Sequence, residues 1–424
     1  MKKRLLALAM AGALTLGLLA GCGGDDGKTG GDNTSPSPSA SAPVAPSAST
    51  PAEPSTPAEP STPAEPSGSG ASGTFKLGGV GPLTGENAIY GTAAMNGAQI
   101  AVDEINALGG AVKFEFQTAD DVADGATSVN AYNSLMDWGM QVLVGPVTTG
   151  AAISVSAQAF DERTFCLTPS ASSTDVISGK DNMFQVCFTD PNQGVGAADY
   201  ISDNMAGSKA AVIYRNDDAY SQGIRDTFVK QAEEKKLEVV YEGTFTADTQ
   251  TDFSVQLTAA QSAGADVIFL PIYYQPASVI LNQANQMGYA PTFFGVDGMD
   301  GILTMPGFDA SLAEGVMLLT PFSADAPDAL TQNFVAKYQE KHGETPTPFA
   351  ADGYDAVYII YNALNAAGCT GDMSAEEICE ALIPAMPAIS VDGLTGSAMT
   401  WAATGEVSKA PRAVVIKDGV YVTP

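Results

Sequence analysis

The 424-residue sequence contains a single histidine, two tryptophans, five cysteines and only 19 basic residues against 48 acidic ones. One histidine removes multi-histidine metal centres and leaves a Ser-His-Asp site dependent on His342 alone. His342 stands in Lys341-His342-Gly343, the pattern of a helix C-terminal turn, and reads as structural. Neither a Gly-x-Ser-x-Gly elbow nor a Walker A loop is present, so the chain reads as a non-enzyme, and a carboxylate dyad is the one catalytic arrangement so acidic a composition still permits. Nothing in the sequence implies a cofactor or a metal. The formal charge of -29, with no clustered Lys/Arg face, excludes nucleic-acid binding, because phosphate would be repelled. The N-terminal apolar run from Leu5 to Leu19 falls short of the roughly 20 residues that cross a bilayer as a helix.

That run follows Met1-Lys2-Lys3-Arg4 and ends in Leu19-Ala20-Gly21-Cys22, the layout of a secretory signal over residues 1–21. Leu-Ala-Gly-Cys resembles the lipobox of bacterial lipoproteins, which implies that Cys22 carries a lipid and anchors the protein outside the cytoplasm. Ordinary secretion with an incidental cysteine is the alternative. Residues 23–73 hold no aromatic residue and one large aliphatic, Val44, so they cannot bury enough surface to offset chain entropy. Ten prolines lie between Pro36 and Pro66, and Ser-Thr-Pro-Ala-Glu-Pro repeats three times from Ser49. Residues 22–73 therefore read as a tether, and a proline-spaced tract at about 3.1 Å per residue makes a stalk on the order of 90 Å.

Without residues 1–73 the chain keeps 42 acidic side chains against 15 basic, so the acidity belongs to the folded body. It also keeps Cys166, Cys187, Cys369 and Cys379. An even count outside the cell suggests disulfides, Cys166 with Cys187 and Cys369 with Cys379 being the pairings nearest in sequence; four buried free thiols are the alternative.

The body is too long for one core. From Phe75 it alternates short apolar strands with amphipathic helices. The strands are expected at 75–80, 112–116, 141–144, 164–168, 184–188, 210–214, 237–241, 267–270 and 292–294. Helices are expected at 90–108, 125–138, 150–160, 192–204, 221–235, 252–263 and 276–287. Regular β/α alternation predicts parallel sheets flanked by helices, and the length suits two of them.

In open parallel sheets, ligands bind beyond the carboxyl ends of the strands. In the first half these ends carry Thr148-Thr149-Gly150, which opens a helix, and Ser170-Ala171-Ser172-Ser173. Helix N-terminal N–H groups and hydroxyls make a carboxylate site without an arginine. In the second half the strand ends carry Tyr220, Tyr273-Tyr274 and Asp297, an arrangement suited to an ammonium group. A site for each end of an amino acid, one on each lobe, describes a cleft that holds a zwitterion.

Ordered motifs then carry a resemblance. They run from Gly81-Pro-Leu-Thr-Gly85, Tyr90-Gly, Asp120-Asp121 and Val144-Gly-Pro146 through Thr168-Pro-Ser-Ala-Ser172 and Asp217-Asp-Ala-Tyr220-Ser-Gln-Gly223. Asp252-Phe-Ser254, Gly295-Val-Asp297-Gly298 and Tyr354-Asp-Ala356 follow. Over residues 75–424 the chain resembles the leucine/isoleucine/valine-binding proteins, type I solute-binding proteins of ABC transporters. The resemblance implies an α/β fold of two Rossmann-like lobes joined by a three-crossing hinge, with residues 74–190 plus 321–393 in one lobe and 191–320 plus 394–424 in the other. It implies Thr149, Ser170 and Ser172 at the ligand carboxylate, Asp297 and Tyr220 at the ammonium group, and Tyr90, Tyr273 and Phe349 around the side chain. Asp297 stands where leucine-binding members have Glu, and Thr149 stands for a serine.

The implied role is capture of a branched-chain or other apolar amino acid by a monomer, for import through an ABC permease. A sensor subunit, or a binder of an amide or short peptide, is the alternative. Tyr274, Asp300 and Asp120 read as structural, and Trp138 and Trp401 as packing.

Overall fold

A computed structural model describes residues 70–424. Cys22, the signal sequence and the tether as far as residue 69 lie outside the described residues. The folded body starts earlier than expected. Ala71 is buried, Ser72 N–H donates to the Cys369 carbonyl at 3.1 Å, and the first strand opens at Gly73.

The first lobe is built on β1 (Gly73–Gly81), β2 (Val112–Asp120), β3 (Val142–Val144), β4 (Phe165–Thr168) and β5 (Met183–Gln185). These five strands form a parallel sheet in the order β2-β1-β3-β4-β5. Every residue of β3 and β4 is buried, as expected for strands covered on both faces by helices. The helices between them are α1 (Ala88–Ala107), α2 (Gly125–Trp138), α3 (Thr149–Asp161) and the single turn α4 (Thr174–Ile177). Local chemistry sets their ends. Asp124 caps α2 by accepting from Thr127 N–H, and Gly139, at φ 90°, closes it in the left-handed region where glycine is free of strain.

The second lobe begins with α5 (Asp190–Asn204), followed by β6 (Lys209–Arg215), α6 (Ala219–Lys235), β7 (Glu238–Phe245), α7 (Ser254–Ser262), β8 (Val267–Leu270), α8 (Tyr274–Met287), β9 (Thr292–Gly295) and β10 (Met317–Thr320). The chain then returns to the first lobe as α9 (Ala329–His342), α10 (Pro348–Ala367) and α11 (Ala375–Ala385). It ends in the second as β11 (Arg412–Lys417) and β12 (Val420–Val422). The second sheet has the order β12-β11-β10-β9-β8-β6-β7. It is mixed rather than wholly parallel, since β11 pairs antiparallel with both β10 and β12.

α1 and α10 pack backbone to backbone. A Cβ on Gly97 would lie 1.8 Å from the Ala350 carbonyl oxygen, and one on Gly353 would lie 2.0 Å from that of Ala94, so only glycine permits this approach. The contact brings Tyr90, on the first turns of α1, against Phe349 at the start of α10, with ring centroids 4.7 Å apart in an edge-on arrangement.

Three passages connect the lobes. The first two leave β5 and β10. The third was expected near residue 393, but the chain stays with the first lobe longer. The Trp401 indole N–H donates to the Gln185 carbonyl at 2.8 Å, and Gln185 N–H donates to the Gly405 carbonyl at 3.0 Å, so the passage falls just before β11 at Arg412.

A buried polar network pins these passages together. Lys409 Nζ donates to Asp352 Oδ1 at 2.8 Å, Thr395 Oγ1 at 2.6 Å and the Val186 carbonyl at 3.0 Å. Asp355 accepts from Leu394 N–H, Thr395 N–H and the Thr395 hydroxyl. The Lys409 and Asp352 side chains are only 3% and 5% exposed, so all three ammonium protons must find partners within the protein, and they do.

The expected disulfides are not formed. Cys166, Cys187, Cys369 and Cys379 are all buried free thiols. Cys166 and Cys379 fill apolar positions on β4 and α11, where a thiol packs as a small hydrophobe, and burial pushes the Cys379 thiol up to about 12.

Candidate functional site

The carboxyl ends of both sheets face one cleft. Tyr90, Val147, Thr148, Thr149, Ser170, Tyr220, Tyr273, Asp297, Gly298 and Phe349 line a narrow cavity there. Seven of the eight ligand-site residues expected from the sequence therefore meet around one space. The eighth, Ser172, does not line it. It is fully buried, its carbonyl accepts from Asp190 N–H at 2.9 Å at the start of α5, and its hydroxyl has no hydrogen-bond partner among the described residues. Val147, Thr148 and Gly298 also line the cavity; the sequence placed Thr148 in the strand-end loop and Gly298 in the motif around Asp297 without giving either a ligand role, and it did not mark Val147. Thr148 and Gly298 flank Thr149 and Asp297 directly, and for Val147 nearness to the end of β3 was the available signal.

On the first-lobe side, α3 points its N-terminus at the cavity, where its opening N–H groups lack intrahelical partners. No side chain caps this end, and the Thr148 hydroxyl at the N-cap makes no hydrogen bond. The Thr149 hydroxyl accepts from Ser173 N–H at 3.4 Å, which holds the two loops side by side. Thr168 fastens them further. Its hydroxyl donates to the Pro146 carbonyl at 2.6 Å and accepts from Ala171 N–H at 2.9 Å. The result is a concave set of N–H and O–H donors with no basic side chain among the lining residues, suited to a carboxylate.

The second-lobe side offers the opposite chemistry. Asp297 opens a 3-10 turn, Asp297–Met299, just past β9 and is 6% exposed. Its Oδ1 accepts from the Tyr220 hydroxyl at 2.6 Å and from Gly298 N–H at 2.7 Å, while its own N–H donates to Gln193 Oε1 at 3.1 Å. A Cβ on residue 298 would come within 2.5 Å of the Tyr220 hydroxyl oxygen, so glycine is needed for this packing. Burial raises the Asp297 carboxyl to about 6, and its hydrogen bonds partly oppose the shift. A cation in the cavity would be stabilised by this carboxylate in a dry setting. Tyr220 lies parallel to Tyr273, with centroids 5.0 Å apart, and Tyr273 is 5.5 Å from Tyr90. These rings and Phe349 form the apolar wall.

Asp190, at the start of α5, is fully buried with neither carboxylate oxygen hydrogen-bonded within the described residues. Burial raises its carboxyl well above the usual range, and the nearby Asp297 charge adds to the effect. His342 lies at the end of α9 against Tyr338, outside the cavity lining. Among the described residues no group of three or more His, Cys, Asp or Glu side chains is placed to hold a metal, and no helix is long and apolar enough to cross a membrane.

The periplasmic binding protein family model matches residues 74–419, which takes in both lobes and every residue of the cavity. The chain belongs to this family. Its similarity is to the Leu/Ile/Val-binding branch. It is 30% identical over 348 residues to Leu/Ile/Val-binding protein homolog 3 of Brucella melitensis, covering 80% of this chain and 90% of the relative. Among solved structures, the branched-chain amino acid transporter substrate-binding protein LivJ of Streptococcus pneumoniae, in complex with isoleucine, aligns at TM-score 0.73 and 30% identity, covering 83% of this chain and all of that one. The leucine-binding protein LivK of Thermotoga maritima aligns at TM-score 0.74 and 26% identity, covering 82% and 97%. The family places this binding protein on the extracytoplasmic side of the membrane.

Proposed function

We propose that this periplasmic binding protein captures a branched-chain or other small apolar amino acid and delivers it to an ABC permease. The observation that carries the reading is the opposition of two charge preferences across one apolar cavity. Uncapped helix N–H groups with Thr149 and Ser170 stand on one lobe, and the buried Asp297 with Tyr220 stands on the other. A zwitterion satisfies both at once; a neutral or singly charged solute leaves one unpaired, at a cost of several kcal/mol in a dry site.

In this reading, Thr149, Ser170 and the start of α3 hold the carboxylate, Asp297 and Tyr220 hold the ammonium group, and Tyr90, Tyr273 and Phe349 enclose the side chain. Ser172, with its buried hydroxyl unpartnered among the described residues, stands two residues beyond Ser170 in the same loop. Binding works as capture without chemistry. The protein acts as a monomer anchored by a lipid on Cys22, which leaves both lobe faces free for the permease.

Calorimetric titration of the mature chain, unfolded and refolded to strip carried-over ligand, tests this. Micromolar or tighter binding of leucine, isoleucine or valine is expected. Silence to every amino acid, with binding of an amide or an aromatic acid instead, would overturn the ligand class.

A further inference from the structure

We infer that the Tyr90 hydroxyl is a positioning group that couples closure of the lobes to the ammonium site, beyond its ring's place in the side-chain pocket. Tyr90 belongs to the first lobe, yet its hydroxyl donates to the carbonyl of Gly298 in the second lobe at 2.5 Å and accepts from Tyr274 N–H, also in the second lobe, at 3.2 Å. Both bonds cross the cleft and both are buried. They leave the hydroxyl with no free proton to offer a ligand.

The Gly298 peptide connects this contact to Asp297. Its carbonyl receives Tyr90, while its N–H is shared by Asp297 Oδ1 at 2.7 Å and the Tyr220 hydroxyl at 2.9 Å. The residue that fixes the Asp297 carboxylate is thus held from the opposite lobe. When the lobes part, the Gly298 carbonyl loses its donor, and the turn that aims Asp297 loses one of its restraints. The ammonium site is therefore fully restrained only in the closed form.

The neighbouring backbone supports this. Just before α1, the Glu86 carbonyl accepts from the Tyr274 hydroxyl at 2.8 Å and from the Gln275 side-chain amide, and Gln250 Nε2 donates to Glu86 Oε2 at 3.3 Å. Residues 86–90 form the first-lobe lip of the cleft, and Tyr90 is its innermost member. The Tyr90 ring is fixed by Phe349, Tyr273 and Tyr274, at centroid distances of 4.7, 5.5 and 5.4 Å, so removing the hydroxyl alone preserves the wall.

The inference rests on the proposed amino-acid site, and its test separates the two. Tyr90→Phe in the mature chain is compared with Phe349→Leu, which alters the wall without touching the cross-cleft bonds. Two readouts are taken: the lobe-to-lobe distance distribution from paired spin labels, with and without L-leucine, and L-leucine dissociation by stopped flow. Tyr90→Phe is expected to widen the distance distribution and speed dissociation about tenfold or more, as loss of two buried hydrogen bonds implies, with little effect on association. Phe349→Leu is expected to reorder affinities among leucine, isoleucine and valine without changing the distances. Unchanged distances and dissociation in Tyr90→Phe, or a change confined to side-chain preference, would overturn the inference. If L-leucine does not bind the wild type, the proposed function fails, and the distance distribution of Tyr90→Phe alone still decides whether the hydroxyl holds the lobes.

Discussion

The Tyr220 hydroxyl donates to Asp297 Oδ1 at 2.6 Å across a separation of 77 residues, joining the start of α6 to the turn after β9. This bond orients the only carboxylate that lines the cavity among the described residues. It also stabilises the ionised form of Asp297 against a burial that favours the neutral one.

Replacement of Asp297 by alanine should weaken leucine binding by about 2–5 kcal/mol, because the ligand's ammonium group would be desolvated without a partner. Calorimetry measures the loss, and an unchanged circular dichroism spectrum shows that the fold persists. Near-wild-type affinity would remove Asp297 from the site.

Leucine affinity should also fall as pH drops through about 6. Below that value the unliganded Asp297 is protonated, and the incoming ammonium group must displace the proton. Titrations between pH 5 and 8 should give a flat upper limb and a decline on the acid side that Asp297→Asn abolishes. A wild-type affinity flat from pH 5 to 8 contradicts this.

Stability of the ligand-free protein should move the other way. Burial raises the carboxyls of Asp121, Asp297 and Asp355 to about 6 and that of Asp300 to about 7. Between the ordinary aspartate value and these, the folded chain holds more protons than the unfolded one, so stability is present at the acid end and lost as pH rises. Lower net negative charge acts in the same sense. Scanning calorimetry should give a higher melting temperature at pH 5.5 than at 7.5, and the reverse order would refute the assignment.

Gly353→Ala should cost about 1–3 kcal/mol or more, since the new Cβ falls 2.0 Å from the rigid Ala94 carbonyl and α10 must move off α1. Urea unfolding measures the cost. Leucine binding should weaken too, because the same displacement separates Phe349 from Tyr90. An unchanged midpoint would mean that the two helices are not locked together.

Lys409→Met should destabilise the protein by about 3–5 kcal/mol at neutral pH by leaving Asp352 buried without a counter-charge. Adding Asp352→Leu should recover much of the loss, which urea unfolding of the single and double variants would reveal. Equal stability of Lys409→Met and wild type would show that the hinge network does not contribute.

Much of this architecture is legible in the sequence, because periodic burial writes itself into residue type. The β/α alternation from Phe75 to Phe294 is visible as apolar strands and amphipathic helices, and α2 and β8 fall where the pattern puts them. The antiparallel course of β11 and β12 has no such mark, since a short apolar strand looks alike in either direction. The third passage between the lobes was misplaced because residues 394–409 carry no regular pattern and are held by single bonds such as Trp401 to Gln185. Disulfides were suggested by cysteine count, whereas the thiols' apolar surroundings are a property of packing.

The sequence by itself determined the two-lobed α/β class, the acidity of the folded body and the polar strand ends from which a site could be built. Those follow from composition and local periodicity, which act over a few residues. Tertiary structure decided which strand ends share a cavity, that Ser172 is left out of its lining, and that Tyr90 reaches across to Gly298. These depend on how closely α1 meets α10 and where the chain crosses between lobes. Such distances are set by interlocking side chains far apart along the chain, and no local pattern encodes them.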